Sequence, residues 1–139
     1  MDRYPIAASS LEKYYHIDGY QFERQYKEHL SGYEEWEDAS HAERWLVYPE
    51  NFGPKMSIDE TSLSDGELYT VVTNKDRHGQ KGALAAIIAG TKAEVVRAAL
   101  DNVPEEARDR VQEITMDLSP SMRNIAIYEF RNAKRVIDR

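Results

Sequence analysis

Cysteine is absent from this sequence. Its absence excludes disulfide frameworks, cysteine-ligated zinc sites and thiol nucleophiles. Long apolar runs are also missing, and no segment has the form of a signal peptide, so we expect a cytoplasmic protein without a membrane partner. The 139 residues allow one ordinary domain, or a small module followed by part of a larger domain.

Positive charge is scarce in the first third of the chain. Residues 1–50 contain 5 basic and 11 acidic side chains, a net charge of -6, whereas the remaining residues sum to -1. The total of -7 argues against a nonspecific polyanion binder. The C-terminal stretch is nevertheless basic, with Arg123, Arg131, Lys134, Arg135 and Arg139. The charge distribution therefore neither excludes nor indicates a nucleic-acid partner.

A connector bracketed by proline and glycine, residues 49–54, separates a helical first third from a region of strands and helices. In residues 1–48, the capping-box pattern at 9–12 predicts a short helix and residues 16–19 read as a turn. A second helix is predicted from about Tyr20, with a second capping box at 40–43 before a short helix that carries Trp45 and Leu46. Phe22, Tyr26 and Leu30 form the predicted packing face of the second helix.

After the connector, the hydrophobic pattern changes to that of strands. Three strands joined as hairpins are followed by helix, strand, helix and strand, with strands predicted at 56–63, 68–73, 83–89, 114–117 and 135–137. This order is typical of ribonuclease H-like sheets, in which the fourth strand lies parallel beside the first. We therefore predict an α+β or α/β fold with a mixed five-stranded sheet in the order 3-2-1-4-5.

Two aspartates, Asp59 and Asp117, each end or interrupt a buried strand. Adjacent strand ends bring the two carboxylates to one point, where a divalent cation would relieve their repulsion most simply. Such a site suits two-metal phosphoryl transfer, in which the ions lie about 3.5 to 4 Å apart.

From about Tyr14 onwards, the sequence resembles the DDE transposases of bacterial insertion sequences, in particular the ISL-three group and its Bacteroidetes-type relatives. The resemblance rests on RQYKEHL, HAERWLVYPENFGP, SIDETSLSDGELYTVVTNK, AIIAGTKAEVV, VQEITMDLSPSM and FRNAKRVIDR. It implies a DNA strand-transfer enzyme that uses Mg²⁺ or Mn²⁺ and whose first two catalytic acids are Asp59 and Asp117. It also implies transposon-end DNA as partner, a location at the bacterial nucleoid, and a helix-turn-helix at residues 8–31. A homodimer is a further expectation.

These transposases carry a third acid, a glutamate, on a helix beyond the last strand, and the sequence ends before it. The comparison therefore predicts a fragment that comprises a DNA-binding module (1–48), the connector (49–54) and the first part of the catalytic domain (55–139). Strand transfer by this polypeptide alone is not expected. Two other interpretations stay open: a noncatalytic DNA-binding fragment that competes with the full-length enzyme, and a small acidic protein-interaction domain unrelated to DNA.

Other polar and aromatic residues are predicted to contact DNA, form ion pairs or pack, rather than to bind metal. The predicted DNA contacts on the second helix are Gln21, Arg24, Gln25 and Lys27. Glu60 should point to the other face of its strand and form a salt bridge, and Asp138 should form an ion pair with Arg135 or Arg139 rather than enter the site. The histidines lack paired metal spacing; they are His16, His29, His41 and His78. Tyr14, Tyr15, Tyr20 and Tyr26 are expected to pack between helices.

Overall fold

The structure is a computed structural model that describes residues 7–63 and 66–138. The chain divides into two compact units, with the boundary between Ser40 and His41. Within the described residues, no helix is long and apolar enough to cross a lipid bilayer.

The first unit contains two short helices, α1 (Ala8–Tyr15) and α2 (Gly19–Gln25), joined by a three-residue turn. A π-helical turn, Tyr26–Leu30, continues α2, and a 3-10 turn follows at Tyr33–Glu35. The side chain of Asp18 caps α2 by accepting a hydrogen bond from the Gln21 amide. Gly19 is buried against α1, where a Cβ atom would lie 2.8 Å from the Ala8 carbonyl oxygen, so only glycine allows the close approach of α2.

Several predictions for this unit are wrong in detail. Helix α1 begins at Ala8 without a side-chain cap, because its N-cap residue, Ala7, has no polar side chain. Glu12 of the predicted capping box accepts a hydrogen bond from the Gly19 amide instead. The expected packing face of α2 is only partly formed, since Phe22 is half-buried while Tyr26 and Leu30 are exposed. The tyrosines expected to pack between helices are all exposed: Tyr14, Tyr15, Tyr20 and Tyr26. A unit of this size buries too little surface to cover so many aromatic rings.

The second unit is built on one mixed six-stranded sheet. Its strands are β1 (Trp45–Val47), β2 (Lys55–Ser62), β3 (Leu68–Asn74), β4 (Leu84–Ala89), β5 (Glu113–Met116) and β6 (Lys134–Ile137). The helices are α3 (Ala93–Leu100), α4 (Glu105–Asp109) and α5 (Pro120–Glu129). The strand order is β1-β4-β3-β2-β5-β6, with β5 parallel to both β2 and β6. Apart from β1, this is the predicted order, and the expected α+β, ribonuclease H-like class is confirmed.

Strand β1 corrects the prediction of a short helix around Trp45. Residues 37–44 form turns, and Trp45–Val47 then pairs antiparallel with β4. Trp, Leu and Val suit a pleated, half-buried surface, and their pairing satisfies backbone groups that β4 would otherwise leave exposed as an edge. The predicted hairpin turn between β2 and β3 includes residues 64 and 65, which lie outside the described residues.

The core lies between one face of the sheet and the two longer helices of this unit. Met56 and Ile58 of β2 are buried on that face, as are Val72 of β3 and Ile114 of β5. The helical side of the core is formed by Val96, Ala99 and Leu100 of α3 and by Met122, Ile125 and Ala126 of α5. Met122, Ile125 and Ala126 form an apolar stripe along α5, and Ser119 caps this helix by accepting a hydrogen bond from the Met122 amide.

Residues 49–54, predicted as a connector, are tightly bonded to the sheet. The side chain of Asn51 donates to the Leu84 carbonyl, and Asn74 donates to the Asn51 carbonyl. The Pro54 carbonyl accepts from the amides of both Gln112 and Glu113. The two bonds to Pro54 hold the start of β2 against the start of β5, in the register of the two parallel strands.

Candidate functional site

The register between β2 and β5 determines where the two aspartates lie. The last paired residues are Ser57 and Thr115. Continuing this register by two residues places Asp59, in the middle of β2, beside Asp117, the first residue after the carboxyl end of β5. Because registered residues of parallel strands point to the same face, both side chains project from the face opposite the helical core.

An open pocket of about 300 Å³ lies at this end of the sheet, and both aspartates line it. Ser57 and Thr115 form part of the pocket wall, together with Ile58, Met116 and Asp138. Both carboxylates are exposed to solvent. The structure therefore brings Asp59 and Asp117 together, as the sequence predicts.

Each of the two carboxylates is oriented by one main-chain hydrogen bond. Oδ1 of Asp59 accepts from the Glu60 amide at 2.8 Å, and Oδ1 of Asp117 accepts from the Ser119 amide at 2.8 Å. The second bond belongs to the turn that leads from β5 into α5, so the cap of α5 and the orientation of Asp117 are coupled. Neither Oδ2 atom accepts a hydrogen bond from any described residue, which leaves one oxygen of each carboxylate available to a ligand.

The strand beneath Asp117 is anchored by a lysine that the sequence did not single out. Nζ of Lys75, just after β3, donates to Oγ1 of Thr115 at 2.9 Å and lies 3.8 Å from the Glu113 carboxylate. Thr115 is 7% exposed, so its hydroxyl needs this partner. A lysine in a turn that follows a strand gives no sequence signal of such a contact, since it depends on the pairing of distant strands.

Oxygen donors such as these suit a hard divalent cation. Within the described residues, however, no three histidine, aspartate or glutamate side chains are gathered closely enough to form a metal-binding group. The pair Asp59 and Asp117 would therefore leave most coordination positions to water, which is typical of Mg²⁺.

The other sequence-predicted residues lie away from this pocket. Glu60 is exposed, and its carboxylate has no ion-pair partner among the described residues, so the expected salt bridge is not formed. The predicted DNA contacts belong to the first unit and are all exposed: Gln21, Arg24, Gln25 and Lys27. Lys27 forms an ion pair with Glu23 at 2.8 Å, which raises the pKa of Lys27, chiefly through the hydrogen bond.

Comparison with known protein families bears directly on this arrangement. The sequence profile of a family described as Transposase, the DDE transposases of the ISL3 type, matches residues 56–139, which is more than half of the chain. The chain belongs to this transposase family. The match begins one residue after the start of β2 and includes both aspartates of the pocket. No curated protein sequence matches this transposase.

Proposed function

We propose that this transposase binds the DNA ends of an insertion sequence and holds catalytic Mg²⁺ or Mn²⁺ with Asp59 and Asp117. The observation that carries the proposal is the shared register of Asp59, within β2, and Asp117, just after β5, because both residues line one open pocket. Membership of a DDE transposase family supports the assignment, because such enzymes generally use divalent metal ions.

The residues of the pocket fit such an ion chemically. The two carboxylates supply hard oxygen donors, and each has an oxygen that no described residue occupies. The pocket volume of about 300 Å³ leaves room for several water molecules, each of which occupies about 30 Å³ in the liquid. When bound, the cations would activate the attacking oxygen and stabilise the leaving oxygen of a phosphodiester.

In this proposal, the chain's own residues bind and orient. Asp59 and Asp117 hold the cations, and the amides of Glu60 and Ser119 fix the direction of their side chains. The contact between Lys75 and Thr115 keeps β5 in register, so that Asp117 stays beside Asp59. These groups would fix the positions of the cations relative to the phosphodiester, and positioning of this kind supplies much of the catalysis in phosphoryl transfer.

DNA recognition is proposed for the first unit. Its two helices follow the helix, short turn and helix order of a helix-turn-helix, and α2 exposes Gln21, Arg24 and Gln25, with Lys27 in the following turn. The unit is acidic overall, so specific base contacts would have to contribute more than phosphate attraction. Synapsis of two transposon ends would require more than one DNA-binding module, which motivates the proposal of a homodimer working at the bacterial nucleoid.

The metal assignment is tested by titrating the protein with Mn²⁺ and measuring the free ion by electron paramagnetic resonance. We expect weak binding by the unmodified chain and loss of that binding in Asp59→Asn and Asp117→Asn. Glu60→Gln is the matched control, because Glu60 neighbours Asp59 in sequence but does not line the pocket. Equal Mn²⁺ binding by Asp59→Asn and the unmodified chain would contradict the proposal.

A further inference from the structure

The third strand of the parallel part of the sheet also ends in an aspartate. Strand β6 pairs with β5 so that Ile137 lies beside Met116. The amide of Asp138 then donates to the Met116 carbonyl at 2.9 Å, which extends the pairing past the end of the strand. This register places Asp138 beside Asp117.

The alignment produces a row of carboxylates across β2, β5 and β6. Asp59, Asp117 and Asp138 occupy equivalent positions in three adjacent parallel strands, so their side chains share one face of the sheet. All three line the same pocket. The other described residues that line it are Ser57, Ile58, Thr115 and Met116, none of which carries a charge.

We propose that Asp138 is a positioning residue for the cation held by Asp59 and Asp117, acting through water bound to that cation. This inference rests on the proposed function of the site. The sequence predicts an ion pair of Asp138 with Arg135 or Arg139, and its place in the pocket lining adds a role in which the carboxylate also faces the hydration shell of the ion. The acceptor oxygens of Asp138 would orient metal-bound water, and its charge would increase the affinity for a divalent cation.

Strand spacing favours a role for Asp138 through water over one as a direct ligand of a cation that Asp59 also binds. Adjacent strands lie about 4.8 Å apart, so the backbones of Asp59 and Asp138 are separated by two strand spacings, roughly 10 Å. The absence of a three-residue metal-binding group among the described residues agrees with this spacing.

Mn²⁺ affinity, measured by electron paramagnetic resonance on the full chain, tests the proposal. Asp138→Asn should weaken Mn²⁺ binding by about tenfold, the lower end of the effect of removing a group that orients metal ligands. Asp138→Glu should recover part of the loss, because it keeps a carboxylate. Asp76→Asn is the matched control. It removes the same charge from the exposed turn that follows β3, beside the start of β2, and should leave the Mn²⁺ affinity unchanged.

Unchanged affinity in Asp138→Asn, with Asp59→Asn abolishing binding, would overturn this inference and leave the proposed metal site intact. No Mn²⁺ binding by the unmodified chain would overturn both. If Asp138→Asn fails to fold, paramagnetic broadening in the unmodified chain decides the matter. Mn²⁺ should broaden the amide resonance of Asp138 along with those of Asp59 and Asp117, and equal sharpness of the Asp138 and Asp76 resonances would contradict the proposal.

Discussion

Asp59 and Asp117 lie side by side because β2 and β5 are parallel and in register, although 57 residues separate them in the sequence. The amides of Gln112 and Glu113 donate hydrogen bonds to the Pro54 carbonyl and fix that register at the start of both strands. The pocket is therefore built by the sheet itself, and substitutions that keep the sheet intact can be used to separate binding from folding.

Substitution of Arg24 tests DNA recognition by the first unit. Arg24→Ala should weaken binding to transposon-end DNA by about 1 to 3 kcal/mol if Arg24 contacts a base edge. Fluorescence anisotropy at low salt measures the effect, and Lys13→Ala, which removes one positive charge from α1, is the control. Equal affinities of Arg24→Ala and the unmodified chain would favour a purely structural role for α2.

Release of Lys27 from its ion pair should strengthen DNA binding. Nζ of Lys27 lies 2.8 Å from the Glu23 carboxylate, and this hydrogen bond raises the pKa of Lys27 above its ordinary value of 10.5. Glu23→Gln removes a negative charge that competes with phosphate, and we expect tighter DNA binding with a steeper dependence on salt. Because Glu23 raises the pKa of Lys27, this pKa, measured by NMR, should fall in Glu23→Gln. Weaker DNA binding by Glu23→Gln would show that Glu23 itself supports the complex.

The helical side of the second unit contains a buried carboxylate whose loss should destabilise the fold. Glu129 is 4% exposed and accepts hydrogen bonds from Arg97 and Arg108. Removal of one partner from a buried ion pair typically costs about 3 to 5 kcal/mol, and the partial exposure of both arginines places Glu129→Gln near the lower value. Urea unfolding measures this change. Asp101→Asn, whose side chain is exposed although it contacts Arg108, should change the unfolding free energy by less than about 1 kcal/mol.

A second test of stability concerns the aromatic contact between the connector and α5. Phe130 is fully buried and its ring lies 6.3 Å from that of Phe52, centroid to centroid. Phe130→Ala should lower the unfolding free energy by about 3 to 5 kcal/mol through lost burial and the resulting cavity. Ile127→Ala, at an exposed position of α5, just before Phe130, is the control. An equally small decrease in the unfolding free energy of both variants would show that Phe130 contributes little to the stability of the core.

Sequence reasoning predicted most of the sheet because its local signals agree with its tertiary environment. Strands β2, β3 and β4 have apolar, β-prone residues, and Ser119 and Pro120 have the residue types that start a helix, so pattern and fold coincide. Asp59 and Asp117 could be paired because the order of strands restricts the topology to a few choices. The register that aligns Asp138 with them is a property of strand pairing that no local pattern contains.

The errors cluster where tertiary contacts decide the outcome. The capping-box pattern at 40–43 predicts a helix, yet Trp45–Val47 is used as a strand because the edge of β4 is available for pairing. In the first unit, the pattern of Phe22, Tyr26 and Leu30 is helical, but a small unit covers only part of that face. The contact of Lys75 with Thr115 joins residues 40 positions apart, beyond the reach of any local pattern.

A crystal of the chain grown with Mn²⁺ and measured at an anomalous wavelength tests directly whether Asp59 and Asp117 are metal ligands. We predict an anomalous density peak within coordination distance of both the Asp59 and the Asp117 carboxylates, and no such peak in a crystal of Asp59→Asn. A peak bound elsewhere on the protein, or none at this pocket at saturating Mn²⁺, would contradict the assignment of these two residues as metal ligands.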